Sequence, residues 1–262
     1  MTITLDLLNP SNFSNEIKNL SIKTTQMIQL THLNIISIVS SFSLIIMCYW
    51  FMELLLSSNK KFMDLTFDRK RYVIKNFIKA VYLYALTVYS AIYIKNMILY
   101  DIWDNNAIKL MGLMYCLPDF ISLFRVPNMH SATVQHHMTT TTLALLNLFN
   151  DYSKDTHWRG MIIYGYLSML TGIVNFYLGY RLIYAEDKLD LKKKLAKSAF
   201  VVYVASLLLN WSYQIYIVSK WVTVFPLFGL YAYLILIAFV VRDDIILVSF
   251  LYHEFSKEHK NN

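Results

Sequence analysis

An all-α membrane protein of about seven transmembrane helices is the fold class this sequence predicts, and three observations predict it. Hydrophobic residues make up 56% of the chain and charged residues 16%, against about a quarter charged in a typical soluble domain. Apolar segments near the roughly 20 residues needed to cross a bilayer recur along almost the whole length. Four Pro and six Gly in 262 residues leave little room for a loop-rich domain.

The segments run in order over about 33–56, 74–99, 107–124, 129–149, 160–184, 196–218 and 221–241. The fourth is too short to span from Met138, so its first turns include the polar stretch holding His136 and His137. Arg242 and Asp243 are expected to end the seventh. The resulting division is a lumenal tail over 1–30, a first helix with its basic loop over 31–72, a transmembrane domain over 73–245 and a cytosolic tail over 246–262.

Charge sets the expected orientation. The 57–72 loop carries Lys60, Lys61, Arg69, Lys70 and Arg71, and the 185–197 loop carries Lys188, Lys192, Lys193, Lys194 and Lys197. Seven spans put both loops and the C-terminus on one side, which the positive-inside rule makes cytosolic. Asp101, Asp104 and the acidic 151–155 stretch fall on the other side. Sequons at Asn12 and Asn19 would then be lumenal, where they can be glycosylated. The net charge of +7 resides mainly in loops, where it meets anionic lipid heads. A nucleic-acid partner would need a basic face with interleaved aromatics, and none is present. Cys48 and Cys116 lie in apolar segments without partners at metal-ligand spacing.

Ionisable residues at membrane depth are costly and point to function. Asp119 and Tyr115 are four apart on one face of segment three. Pro118 beside them removes a backbone donor and frees a carbonyl. Asp119 leaves the membrane on the side from which His136 and His137 enter it, so their depths match. Neighbouring helical positions diverge by about 100°, so one histidine acts while the other orients or pairs. A neutral imidazole is the usual base near pH 7, and a carboxylate fixes its tautomer. That set can deprotonate an amine, hydroxyl or water attacking an acyl carbonyl. The competing readings are Asp119 paired with Arg125, and two solvated, inert histidines. No metal is expected, because Thr133 stands where an HxxHH box needs histidine. Gly165, Gly172 and Gly179 recur every seven residues and predict close helix contact. Asn175 is a mid-span residue wanting a partner, Asn210 and Gln214 share a face, and Lys75 and Lys79 are expected to snorkel to the cytosolic interface.

Three pieces, in order, resemble the TLC-domain family, which contains ceramide synthases and translocating-chain-associated membrane proteins. Tyr115-Cys116-Leu117-Pro118-Asp119 is similar to its Y-x-x-x-D element. His136-His137-Met138-Thr139-Thr140 resembles its His-His-x-x-Thr element. Thr171-Gly172-Ile173-Val174-Asn175-Phe176 looks like its S/T-x-P-F-x-N segment with Gly for Pro. The resemblance covers about residues 70–245. It implies a barrel-like bundle of six helices plus one preceding helix, an endoplasmic-reticulum-type membrane, and action on sphingolipids or other lipids. It also implies His136, His137 and Asp119 as catalytic residues, with Tyr115, Thr140 and Asn175 at the substrate. Acyl-CoA is the implied acyl donor, no bound cofactor is expected, membrane lipids are the partners, and a homo-oligomer is compatible. Ceramide synthases carry a further His-Asp-x-x-Asp cluster, whereas Tyr166-Leu167-Ser168-Met169-Leu170-Thr171 has no acid. The expected function is therefore to act on or regulate membrane lipids. The alternatives are an acyl-CoA-dependent N-acyltransferase and a non-catalytic trafficking factor or chaperone. Fatty-acid elongases share the spans and a histidine pair, and rank below these because their box fails at Thr133.

Overall fold

The computed structural model describes residues 32–156, 158–184, 188–221 and 227–260. Among these residues the chain is helical with no strand. We number the helices α1 His32–Leu56, α2 Lys60–Met63, α3 Phe67–Tyr100, α4 Asn105–Arg125, α5 Ser131–Asn147, α6 Arg159–Met169, α7 Gly172–Tyr180, α8 Leu189–Trp221 and α9 Leu227–Lys260. In hydrocarbon every backbone polar group must be satisfied internally, and a helix does so within one segment. Side chains finish the ends. Asp104 accepts from the amides of Asn106 and Ala107 to cap α4, and His130 Nδ1 accepts from Ala132 to cap α5.

Four helices, α1, α3, α4 and α8, are long and apolar enough to cross a membrane, and α6 with α7 makes a fifth span if the bent pair is one crossing. This is a membrane-embedded protein. Its apolar exterior fits that reading: on α1, Met47, Trp50 and Leu54 are exposed while Ile45 and Tyr49 are buried.

Six helical units close into a ring. α3 packs on α4, α4 on α5, α5 on α9, α9 on α8, α8 on α6 and α7, and these back on α3. α1 stands outside, against α3 and α4. Chain order and ring order therefore differ, because the last helix inserts beside α5. Close approach at the seam between α7 and α3 depends on two glycines. A Cβ on Gly172 would lie 3.2 Å from the Ala80 carbonyl oxygen, and one on Gly179 would lie 3.3 Å from that of Val73. The small-residue stripe works as expected there. Gly165 differs, since a Cβ on it would meet nothing within 4 Å.

Loops gather at two ends. At one, Asn59 donates to the Ile183 carbonyl, Asn128 donates to Asp68, and Lys61 and Lys192 both lie over the Tyr184 ring. The two basic connections thus meet at one end. At the other, Asn105 donates to Asp151, Lys220 binds Asp155, and Arg159 sits over Trp103 and near Asp101.

Two expectations need correction. Segment five is not one helix: α6 and α7 bend by 44° at Leu170-Thr171, where the Gly-containing motif begins. Arg242 and Asp243 do not end the last helix. It runs through them to Lys260, so most of the stretch taken as a tail from 246 is helix. Leu251 there is fully buried and Glu254 accepts from the Tyr177 hydroxyl at 3.0 Å. The tail over 1–30, with Asn12 and Asn19, lies outside the described residues.

Candidate functional site

A cavity of about 600 Å³ lies within the ring, lined from α3 through α9. Its walls carry Tyr115, His136, His137 and Asn175, four of the six residues singled out from sequence. Asp119 stands directly behind this wall and is fully buried. Thr140 faces elsewhere. It lines a second, apolar pocket of about 50 Å³ further along the bundle, and its hydroxyl donates to the His137 carbonyl of its own helix. Tyr115 and Tyr164 line both spaces and so separate them.

The two histidines divide their work. His137 is held on both ring nitrogens: Nδ1 lies 3.1 Å from Asp119 Oδ1, and Nε2 lies 2.9 Å from Lys75 Nζ. His136 crosses to the last helix instead, with Nδ1 3.2 Å from Asp243 Oδ2. Each Nδ1 faces its carboxylate within ion-pairing distance but makes no hydrogen bond to it, and a carboxylate on that side favours the proton there and the lone pair on Nε2. No hydrogen bond holds His136 Nε2 among the described residues. The rings meet edge to face with centroids 5.7 Å apart.

Asp119 does not pair with Arg125. Lys79 Nζ binds Asp119 Oδ1 at 2.5 Å, while the Arg125 guanidinium lies over the Tyr49 and Trp50 rings of α1. Lys75 and Lys79 do not snorkel to the interface. They are buried, at 5% and 8% exposure, and line the cavity. The i, i+4 spacing on α3 turns both inward.

Sequence reasoning also missed the acids of α9. Asp243 partners His136. Asp244, 3% exposed, accepts from the Tyr203 hydroxyl at 2.8 Å and lines the cavity with Ser168. Two acids of α9 thus stand on the cavity wall across from Ser168 of α6. Two carboxylate oxygens here, Asp119 Oδ2 and Asp244 Oδ2, are buried without a hydrogen-bond partner. A buried unpaired acceptor is costly and calls for a donor. The signal that could have found the acids was the run Arg242-Asp243-Asp244 inside an otherwise apolar helix.

No family model, curated protein or solved structure matches this chain.

One ligand atom each of Asp119, His136 and His137 lie within 4.8 Å of one another, a separation at which three groups can hold a metal ion. Spacing along the chain concealed that proximity. Two ammonium groups compete for it, Lys79 on Asp119 and Lys75 on His137, and a cation would have to displace both. We do not assign a metal. Gln214 bonds across helices, whereas Asn210 accepts only from Gln214 of its own helix. Gln214 donates to the Gly160 carbonyl at 2.8 Å and to Asn210 at 3.1 Å, and accepts from Tyr233. That network ties α6, α8 and α9 together away from the histidines.

Proposed function

We propose that this is a multi-pass endomembrane protein of the TLC type that takes a membrane lipid into its central cavity and transfers an acyl group at His136. Seven spans, six in the ring and α1 outside it, with the two basic loops cytosolic, complete the reading. The observation that carries it is the ion-pair contact of His136 Nδ1 with Asp243 on the wall of a cavity that adjoins an apolar pocket across Tyr115 and Tyr164.

The chemistry follows from that geometry. A nucleophilic amine or hydroxyl of the lipid head binds near the unpaired Asp244 oxygen, which wants a donor. His136 Nε2 takes its proton as the nucleophile attacks an acyl thioester carbonyl, with acyl-CoA as the donor class. The tetrahedral adduct collapses, the thiolate leaves, and His136 returns the proton to it. Asp243 steadies the imidazolium between these steps. The apolar pocket beyond Tyr115 and Tyr164 receives hydrocarbon. His137, engaged on both nitrogens, serves as support together with Asp119 and Lys79.

The test is incorporation of labelled acyl-CoA into lipid by microsomes carrying the protein, with untargeted lipidomics of the same cells. His136→Gln is expected to abolish incorporation at unchanged expression, whereas wild-type protein giving none above empty vector defeats the acyl-transfer reading. A lipidome that nonetheless shifts with the protein would leave the regulatory reading, in which the cavity binds lipid without turning it over.

A further inference from the structure

We propose that Lys75 is a reactive amine that captures a long-chain aldehyde in the central cavity as a Schiff base. The inference rests on the cavity taking a lipid. It does not require acyl transfer at His136.

α3 turns two lysines, one helical turn apart, into the same buried space. They are not equivalent. Lys79 binds the carboxylate of Asp119. Lys75 has no carboxylate within ion-pairing distance among the described residues, and its Nζ meets an imidazole nitrogen, His137 Nε2, at 2.9 Å. A lysine kept solely for charge neutralisation would be expected opposite an acid. Two acids, Asp243 and Asp244, do line the same cavity, yet they pair with His136 and Tyr203.

The Lys75–His137 contact is one that either proton distribution satisfies. With the proton on lysine, the ammonium donates to a neutral imidazole. With the proton on histidine, the Nε2–H donates to a free amine, and Asp119, 3.1 Å from Nδ1, balances the imidazolium. The cluster of Lys79, Asp119, His137 and Lys75 therefore holds one movable proton, and moving it exposes a nucleophilic lone pair. Burial beside a second cation is the setting in which lysine amines attack carbonyl compounds.

The surroundings select the electrophile. Lys75 lines the central cavity, which carries the charged side chains, and past Tyr115 and Tyr164 lies the apolar pocket. A ligand with an uncharged carbonyl at one end of a hydrocarbon chain fits both ends. The Lys75 nitrogen adds to the aldehyde carbon, and one of the two protons on that nitrogen passes to the carbonyl oxygen to give a neutral carbinolamine. His137 then gives its Nε2 proton to the carbinolamine hydroxyl. Water leaves and a protonated imine remains. One aldehyde, one amine and one imidazolium become one iminium, one neutral imidazole and one water, with no oxidant or reductant consumed.

The experiment traps the imine. Full-length protein in phosphatidylcholine nanodiscs is incubated with hexadecanal and cyanoborohydride, digested, and mapped by mass spectrometry. Lys75 is expected to carry the hexadecyl adduct at about tenfold or more the occupancy of exposed Lys60. Lys75→Arg is expected to lose that adduct and keep the Lys60 background. His136→Gln is expected to retain it, which separates this result from any failure of acyl transfer. An adduct on wild-type Lys75 no greater than that on Lys60, in protein that elutes as a single species, overturns the proposal without recourse to any variant.

Discussion

Replacing Lys79 with methionine keeps an unbranched side chain one atom shorter and removes the ammonium from Asp119. Asp119 is fully buried, and Lys79 is its only ammonium partner at 2.5 Å among the described residues. The second carboxylate oxygen is unpartnered already, so the variant leaves a buried carboxylate with His137 as its one remaining partner within ion-pairing distance among the described residues. Breaking a buried pair from one side costs about 3–5 kcal/mol, whereas replacing both partners by apolar groups of similar size is often neutral or stabilising. For a chain of this size that loss lowers the midpoint of thermal unfolding by roughly 10 °C. The assay is heating of detergent-purified protein followed by tryptophan fluorescence and retention of the folded peak on size exclusion. Lys79→Met should fall by that amount, and Lys79→Met combined with Asp119→Leu should recover most of it. A single variant within about 2 °C of wild type, or a double variant no better than the single, refutes the claim that this pair is desolvated and coupled.

Asp243→Asn should slow lipid turnover by about 100-fold, within the range of general-base effects, while a binding assay with labelled lipid shows affinity unchanged. Gly165→Leu projects into open space beside the apolar pocket and should shift lipidomic products toward shorter acyl chains. Gly172→Val must push against the Ala80 carbonyl oxygen and should cost about 1–3 kcal/mol in unfolding experiments. Asp151, in the loop between α5 and α6, accepts from Ser153 and Asn105, and these hydrogen bonds hold its carboxyl below the ordinary carboxylate range. A depressed folded value means that its stabilisation is present above the unfolded value and is lost as pH falls through the folded one. The melting midpoint should therefore show no Asp151 contribution to its slope between pH 5 and 8 (about the neutral range). It should fall more steeply in acid for wild type than for Asp151→Asn.

Much of the site was legible because membrane depth can be read from a sequence. Asp119 near the end of one apolar segment and His136–His137 near the start of the next must lie at one level. The structure places His137 against Asp119 accordingly. Tyr115 followed from its i, i+4 relation to Asp119, and Asn175 from its mid-span position. Thr140 lines the apolar pocket and not the central cavity, and a position on a helix does not say which of two neighbouring spaces it lines. Lys75 and Lys79 were misread for a related reason. Snorkelling assumes that a lysine near a helix end faces lipid, and α3 has a lipid-facing side and a cavity-facing side with lysines on the second.

What the sequence by itself determined is the solvent and the secondary structure. Long apolar segments in a chain with few charges can only be helices in a bilayer, since no other single segment satisfies its own backbone there. It also determined which polar residues were out of place. What only the tertiary structure decided is who their partners are. α9 closes the ring beside α5, bringing Asp243 to His136 across more than a hundred residues of chain, and no local pattern encodes which helix a ring will place next to which. The bend at Leu170-Thr171 was decided in the same way, by packing against α3 and α8. The apolar segments state that there is a membrane protein, and the closure of the ring turns their few polar exceptions into a site.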